Sequence, residues 1–109
     1  MEIRYYVTED GRSPFADWFA SLDAVARAKI ARSIAKIEQG NLSNVKSVGE
    51  GVLEYRIDFG PGYRVYFGRT GADLAILLTG GTKKRQQRDI KAATELWKAY
   101  KIDKRAGQG

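Results

Sequence analysis

The chain has 109 residues, of which 43% are apolar and 29% are charged, which is ordinary for a globular domain. This length leaves room for one hydrophobic core, so we expect a single domain over residues 1–109. The absence of cysteine and histidine excludes disulfides, thiolate catalysis, zinc–thiolate sites and imidazole bases. The longest apolar run, Leu74–Leu78, is too short to cross a membrane, and no signal peptide is evident. We therefore expect a cytoplasmic protein with no membrane partner.

The net charge of +6 is distributed unevenly along the chain. Residues 1–82 contain ten Lys or Arg and ten Asp or Glu, whereas residues 83–109 contain nine Lys or Arg and three acidic residues. A basic segment of this kind is typical of proteins that bind a polyanion or an acidic protein surface. The alternative is a solvated helix whose charges serve only solubility.

The first part of the chain predicts a strand followed by two capped helices. The β-branched and aromatic run Glu2–Thr8 is typical of a strand. Ser13 and Pro14 suit the N-cap and the first position of a helix with a regular apolar stripe. Asp23 predicts a second N-cap, for a helix that ends at Gly40.

The second part of the chain predicts three strands and a final helix. After a polar loop, residues 53–59 and 63–67 alternate between apolar and polar side chains and predict a hairpin. Leu74–Thr79 is apolar almost throughout, which indicates a strand buried on both faces, ended by two glycines. Helical spacing of apolar residues from Asp89 to Lys101 predicts the last helix. The predicted fold is α+β, in the order β-α-α-β-β-β-α, with a small, mainly antiparallel sheet packed on helices.

The predicted hairpin brings charged side chains together on one face. Pairing Phe59 with Tyr63 keeps the two faces distinct and leaves a three-residue loop. The face that does not pack on the helices then carries two guanidinium groups and a phenol, which predict a phosphate-binding surface. The alternative is an exposed sheet face with a weak cross-strand ion pair. The side chains expected on this face are Glu54, Arg56, Asp58, Arg64 and Tyr66.

The segment between the last strand and the last helix is a second candidate site. Gly80 and Gly81 are expected to leave backbone N–H groups accessible, and the spacing is not that of a P-loop. If the three strands form a simple meander, this segment leaves the sheet beside Arg56 and Arg64. The alternative is a charged linker. Its cations are Lys83, Lys84, Arg85 and Arg88.

Four sequence blocks resemble one known family. They are GVLEYRIDFGPGYRVYF at 51–67, LLTGGTK at 77–83, QxxDI at 86–90 and LWKAY at 96–100. Blocks of this kind in this order are similar to the phage-derived addiction-module killer proteins, a branch of the RelE/HigB/ParE toxin superfamily. The resemblance implies a RelE-like fold and the toxin of a type II toxin–antitoxin module. It also implies a cognate helix-turn-helix antitoxin, through which alone the protein would contact operator DNA.

The resemblance further implies a ribosome-dependent mRNA endonuclease that inhibits translation, with the ribosome and mRNA as partners. Two alternatives remain within the superfamily. One is a ParE-like, non-enzymatic inhibitor of gyrase, and the other is a degenerate member that acts only through antitoxin binding and operon autoregulation. The positions that match the superfamily's active residues are Arg56, Asp58, Tyr63, Arg64, Lys83 and Lys84. We expect catalytic roles for Arg56, Arg64, Lys83, Lys84 and Asp89, and RNA binding by Tyr63, Tyr66, Arg85 and Arg88.

Cleavage of RNA through its 2′-hydroxyl requires a base and a stabiliser of the charge that develops on phosphorus. Arg and Lys can supply the stabilisation without a metal or other cofactor, so we expect neither. In the absence of histidine, the base would be Asp58, Asp89 or a lysine with a lowered pKa. We expect an acidic segment of the antitoxin to cover the basic segment or the hairpin face.

Overall fold

The computed structural model describes residues 1–108, with their side chains as far as residue 104. Within this range the protein is a mixed α+β fold with one five-stranded sheet and three α-helices, which confirms the predicted class. No helix in the described range is long and apolar enough to span a membrane. The elements are β1 (Glu2–Tyr5), α1 (Pro14–Ala20), α2 (Ala24–Glu38), β2 (Val45–Gly49), β3 (Val52–Ile57), β4 (Tyr63–Thr70), β5 (Leu74–Thr82), a 3₁₀ turn (Lys83–Arg85) and α3 (Gln86–Gln108).

The strands are ordered β1-β5-β4-β3-β2 across the sheet. β1 runs parallel to β5, and the other neighbouring strands are antiparallel. The edge strand β2 was not predicted. Only two of its five residues, Val45 and Val48, are even partly buried, so its sequence shows no clear alternation of apolar and polar residues. Pairing with β3 makes this segment a strand, and that pairing is not visible in its own apolar pattern.

The predicted helix caps are confirmed. The Ser13 hydroxyl accepts a hydrogen bond from the Ala16 N–H at 3.1 Å, and the Asp23 carboxylate accepts one from the Ala26 N–H at 2.8 Å. Each of these bonds satisfies an N–H that the first turn of a helix leaves free. The start of each helix is therefore determined by a capping residue next to it in the sequence.

Helices cover both faces of the sheet. α1 and α2 pack on one face, where Phe15, Ile30 and Ile37 contact inward residues of β3, β4 and β5. α3 packs on the other face through Ala93 and Trp97. The prediction that β5 is buried on both faces is confirmed. The prediction that one hairpin face stays free of helices is wrong, because α3 crosses that face.

The hairpin register differs from the predicted one by two residues. Ile57 pairs with Tyr63, and residues 58–62 form the connection. Phe59 leaves the strand because the connection closes on itself, with its N–H donating to the Ile57 carbonyl and its carbonyl accepting from Gly62. A shift of two residues keeps the residues that remain paired on their predicted faces, so alternation alone does not distinguish the two registers.

The ends of three other elements also differ from prediction. β1 ends at Tyr5, and β5 continues to Thr82, because Gly80 and Gly81 pair with Val65 and Arg64 of β4. The two glycines therefore belong to the sheet and not to a loop. The cations that follow form the 3₁₀ turn, and α3 begins at Gln86 instead of Asp89.

Gly68 allows α3 to approach the sheet closely. A Cβ atom at this position would lie 2.4 Å from the nearest ring atom of Trp97. We expect Gly68→Ala to lower the free energy of unfolding by about 2 kcal/mol, since an added methyl group overpacks this contact. Urea denaturation checks this, with Arg69→Ala as a control because Arg69 is exposed. Unchanged stability of Gly68→Ala would contradict this packing.

Candidate functional site

Polar side chains meet between the β3–β4 hairpin and the start of α3. The register places Glu54 opposite Tyr66, and Arg56 opposite Arg64. All four lie on the predicted face, whereas Asp58 lies in the connection, is exposed and has no partner across the hairpin. Gln86 reaches this group from the first residue of α3. We call these five residues the Glu54 cluster: Glu54, Arg56, Arg64, Tyr66 and Gln86.

The Glu54 carboxylate is the centre of the cluster and is fully buried. One oxygen, Oε2, accepts hydrogen bonds from the Tyr66 hydroxyl at 3.0 Å and from Gln86 Nε2 at 2.9 Å. The other oxygen, Oε1, accepts from Arg56 Nε at 3.2 Å. Arg64 Nε lies 3.7 Å from Oε2. A buried carboxylate is costly unless it is paired and hydrogen-bonded, and here it is both.

These contacts change the pKa of two groups. Burial raises the pKa of Glu54, but the hydrogen bonds from Gln86, Tyr66 and Arg56, with the charge of Arg64, outweigh burial and hold it below its ordinary value. Burial, with the neighbouring Glu54 carboxylate, raises the pKa of Tyr66. Tyr66 therefore remains a protonated hydrogen-bond donor at neutral pH.

Arg64 is buried, contrary to the prediction that it lies on an exposed face. Its side chain is only 7% exposed, and Nη1 donates a hydrogen bond to the Gly62 carbonyl at 2.8 Å. Because Arg64 pairs with Gly81 and α3 crosses the same face, the guanidinium lies beneath the start of this helix. Arg56 is different, since 47% of its side chain is exposed. It is the guanidinium of the cluster that an external anion can reach.

The basic segment lies beside the hairpin connection. The Lys83 N–H donates to the Gly62 carbonyl at 2.9 Å, which fixes the 3₁₀ turn against residues 58–62. A Cβ atom at Gly62 would lie 3.2 Å from both Arg64 Nη1 and Lys83 Cβ, so these two residues are neighbours. The predicted proximity of this segment to Arg64 is therefore confirmed. The exposed cations of the segment are Lys83, Lys84, Arg85 and Arg88.

Asp89 of α3 lies directly against Gly81. A Cβ atom at Gly81 would overlap the Asp89 carboxylate, so only glycine allows this approach. Burial raises the pKa of Asp89, although the charges of Arg88 and Arg85 and the backbone amide of Thr82 oppose the shift. Among the described side chains, Asp89 Oδ2 and Arg64 Nε are the two buried polar atoms without a hydrogen-bond partner.

The two predicted tyrosines do not line a common surface. Tyr66 is fully buried under α3 and offers no ring face to a ligand. Tyr63 lies on the opposite face of the sheet, where it packs edge-on against Trp18 with ring centroids 6.3 Å apart. In residues 1–104, no three acidic side chains lie close enough together to hold a metal ion.

Sequence reasoning missed two features of this site. Gln86 follows a run of cations and gives no signal that it binds a carboxylate. Glu54 was placed on the correct face, but its central role depends on α3, which covers that face only in the folded chain.

The protein is thus a small α+β domain with a buried carboxylate–arginine cluster beside a basic rim, which is formed by Lys83, Lys84, Arg85 and Arg88. The sequence matches the family described as "Phage derived protein Gp49-like (DUF891)" over residues 17–101, a range that includes the whole Glu54 cluster. An uncharacterized protein of Haemophilus influenzae is 45% identical over 80 residues, which are 72% of this chain and 81% of the relative. The chain belongs to the Gp49-like family of phage-derived proteins.

We expect Glu54→Gln to lower the free energy of unfolding by about 3 kcal/mol at pH 7, because it leaves buried Arg64 without its counter-charge. Tyr66→Phe removes one hydrogen bond to a charged group and should cost about 1.5 kcal/mol. Folding lowers the pKa of Glu54. The stability that the Glu54 carboxylate contributes is therefore present above the pKa of the unfolded state and is lost as the pH falls through the pKa of the folded state. Urea denaturation across this pH range checks the prediction. Equal stability of Glu54→Gln and wild type would contradict the pairing.

Asp89 is expected to behave in the opposite way. Because its pKa is raised on folding, its ionisation destabilises the native state as the pH rises through that raised value. Asp89→Asn should therefore be more stable than wild type at pH 7, and the difference should vanish below the ordinary pKa of aspartate. Thermal denaturation at several pH values measures this. A constant difference at every pH would show that the titration of Asp89 is not its cause.

Proposed function

We propose that this protein is the toxin of a type II toxin–antitoxin module and acts as a ribosome-dependent mRNA endonuclease. The observation that carries the proposal is the Glu54 cluster, in which a buried carboxylate holds one exposed and one buried arginine beside the exposed cations of the basic segment. Membership of a family associated with toxin–antitoxin modules supports the toxin role. The cluster supports the more specific assignment to phosphodiester chemistry.

Arg56 is the residue that would contact the scissile phosphate. Its Nε donates a hydrogen bond to Glu54 at 3.2 Å, which leaves the terminal nitrogens without a hydrogen-bond partner among the described residues. Fixed donors of this kind stabilise the charge that develops on phosphate oxygens, and removal of one typically costs about 2.7–4 kcal/mol of barrier. Buried Arg64 would act from beneath by holding Glu54 ionised and the Gly62 turn in place.

Lys83 and Lys84 would supply further positive charge at the rim. Both are exposed, and the backbone of Lys83 is fixed to the Gly62 turn. In the reaction, a base takes the proton of the 2′-hydroxyl, the 2′-oxygen attacks the adjacent phosphorus and the P–O5′ bond breaks. The 5′-oxygen leaves as a hydroxyl that takes its proton from water, and the other product is a 2′,3′-cyclic phosphate. Asp89 is the base candidate, since burial raises its pKa and so makes it more basic than a free aspartate. Exposed Asp58 is a weaker candidate because nothing positions it.

The proposed reaction relies on the ribosome for the geometry of the RNA. Because the chain has no histidine, its own acid–base chemistry is weak. The ribosomal A site would hold the mRNA in line for attack. Such positioning accounts for a large part of the reduction of the activation barrier in reactions of this kind. We further propose a cytoplasmic location and a helix-turn-helix antitoxin that covers the basic rim and alone contacts operator DNA.

Incubation of the protein with purified translating ribosomes, followed by mapping of RNA 5′ ends, tests the proposal. Wild type should generate new ends within codons in the A site. Arg56→Ala should reduce the cleavage rate about 10²–10³-fold. It also removes a hydrogen bond to the buried Glu54 carboxylate, which should cost about 1.5 kcal/mol of stability, so thermal denaturation first establishes that the variant is folded. Lys98→Ala is the matched control, because Lys98 is an exposed cation farther along α3. A Lys83→Ala, Lys84→Ala double variant should lose activity to a smaller extent.

Two outcomes would overturn the proposal. If wild type leaves mRNA intact on ribosomes yet arrests growth, the endonuclease assignment is wrong, and inhibition of gyrase is then tested by DNA supercoiling. If Arg56→Ala cleaves as fast as Lys98→Ala, the Glu54 cluster is not the catalytic site.

A further inference from the structure

An open groove of about 510 Å³ lies between α2 and the start of the β2–β3 pair, apart from the rim formed by the 3₁₀ turn. Its walls come from one face of α2, from the segment before β2 and from the end of β3. Among the side chains of residues 1–104, Asp58 is the only carboxylate that lines it. Five cations line it: Lys29, Arg32, Lys36, Lys46 and Arg56.

The cations of α2 are arranged as a row. Lys29, Arg32 and Lys36 are spaced three and four residues apart, so they project from the same face of the helix. The row extends about 10 Å along the helix axis. Within residues 1–104, none of these three side chains lies within ion-pair distance of a carboxylate. The three cations of this row therefore carry positive charge that no ion pair with a described residue compensates.

The lining favours a phosphodiester backbone over a protein segment. Protein partners are held mainly by apolar side chains that enter fitted pockets. Here the aromatic and aliphatic residues of β3 that border the groove, Tyr55 and Ile57, are buried in the core and leave no such pocket. The polar groups that line the groove are ammonium, guanidinium, hydroxyl and amide groups, including those of Ser43 and Asn44. These groups recognise phosphate and sugar oxygens.

An exposed aromatic ring stands beside the groove. Phe59 is 37% exposed, and the Lys29 ammonium lies 4.9 Å from the centre of its ring. A row of cations next to an exposed aromatic ring is the combination with which proteins bind single-stranded nucleic acid without sequence preference. Arg56 belongs both to the groove and to the Glu54 cluster, so the two surfaces are continuous.

We propose that this groove binds the phosphodiester backbone of a single RNA strand, independently of sequence, and that Phe59 stacks on one of its bases. The inference deepens the proposed function and rests on it for the identity of the ligand as RNA. Binding in the groove requires neither cleavage nor a ribosome. It can therefore be measured separately from the endonuclease activity.

The test is fluorescence anisotropy of a labelled, unstructured 12-nucleotide 2′-O-methyl RNA, which cannot be cleaved through its 2′-hydroxyl. The groove variant is Lys29→Gln, Arg32→Gln, Lys36→Gln. The matched control is Arg69→Gln, Lys91→Gln, Lys98→Gln, which removes the same charge from exposed positions outside the groove. At low salt the groove variant should bind at least about tenfold more weakly than the control. The slope of log K against log salt concentration should also be smaller in magnitude by about 2 than that of the control, since each of the three lost phosphate contacts contributes about 0.7.

Phe59→Ala should weaken binding without changing the salt dependence, because stacking involves no counterion release. Thermal denaturation establishes that every variant is folded. Equal RNA affinity of the groove and control variants would overturn the proposal, because net charge alone would then explain binding. So would a groove variant that loses affinity for a poly-glutamate peptide but not for RNA, since the groove would then serve an acidic protein. RNA binding by wild type without any ribosome-dependent cleavage would support the groove and reject only the endonuclease.

Discussion

A carboxylate that is fully removed from water must be neutralised by its surroundings, and in this fold Glu54 is such a carboxylate. Its partners come from three elements: Arg56 from its own strand, Arg64 and Tyr66 from β4, and Gln86 from α3. The cluster therefore ties the hairpin to the helix that covers it. Any displacement of α3 would leave a charged group in the core without one of its hydrogen bonds.

The same interaction divides the arginines into two kinds. Arg64 is enclosed and balances the charge of Glu54, whereas Arg56 shares the carboxylate but remains half exposed. A guanidinium held at one nitrogen and free at the others is pre-organised for an external anion, so less side-chain entropy is lost on binding. One buried acid can thus stabilise the fold and also orient a binding residue.

Positive charge is available in two regions of the protein, at the start of α3 and along α2. The segment that begins α3 places its cations at the end of β5, and α2 carries a second row on the far side of the hairpin. Residues 1–82 are neutral overall, so the charge count along the chain hides the row on α2. The acidic residues that balance this row lie elsewhere in the fold. Only the positions of the charges in space reveal the groove.

Several features were predictable from the sequence because they depend on residues close together in the chain. The caps at Ser13 and Asp23 are of this kind, as each side chain bonds an N–H three residues away. Strand alternation likewise predicted which face each hairpin residue occupies, and the blocks that resemble a toxin superfamily pointed to the phage-derived family that the comparisons support.

Other features depended on contacts between distant parts of the chain. The register of the hairpin was decided by the closure of residues 58–62, since pairings two residues apart place side chains on the same faces. The strand character of β2 came from its pairing with β3. The burial of Arg64 and Glu54 was decided by α3, which crosses their face because Gly68 and Gly81 leave room for Trp97 and Asp89. The sequence by itself determined the elements and the sidedness of the strands, because those follow from local hydrogen bonds and periodicity. Only the tertiary structure decided which charges are buried and which can meet a ligand, because burial is a property of what packs against a residue.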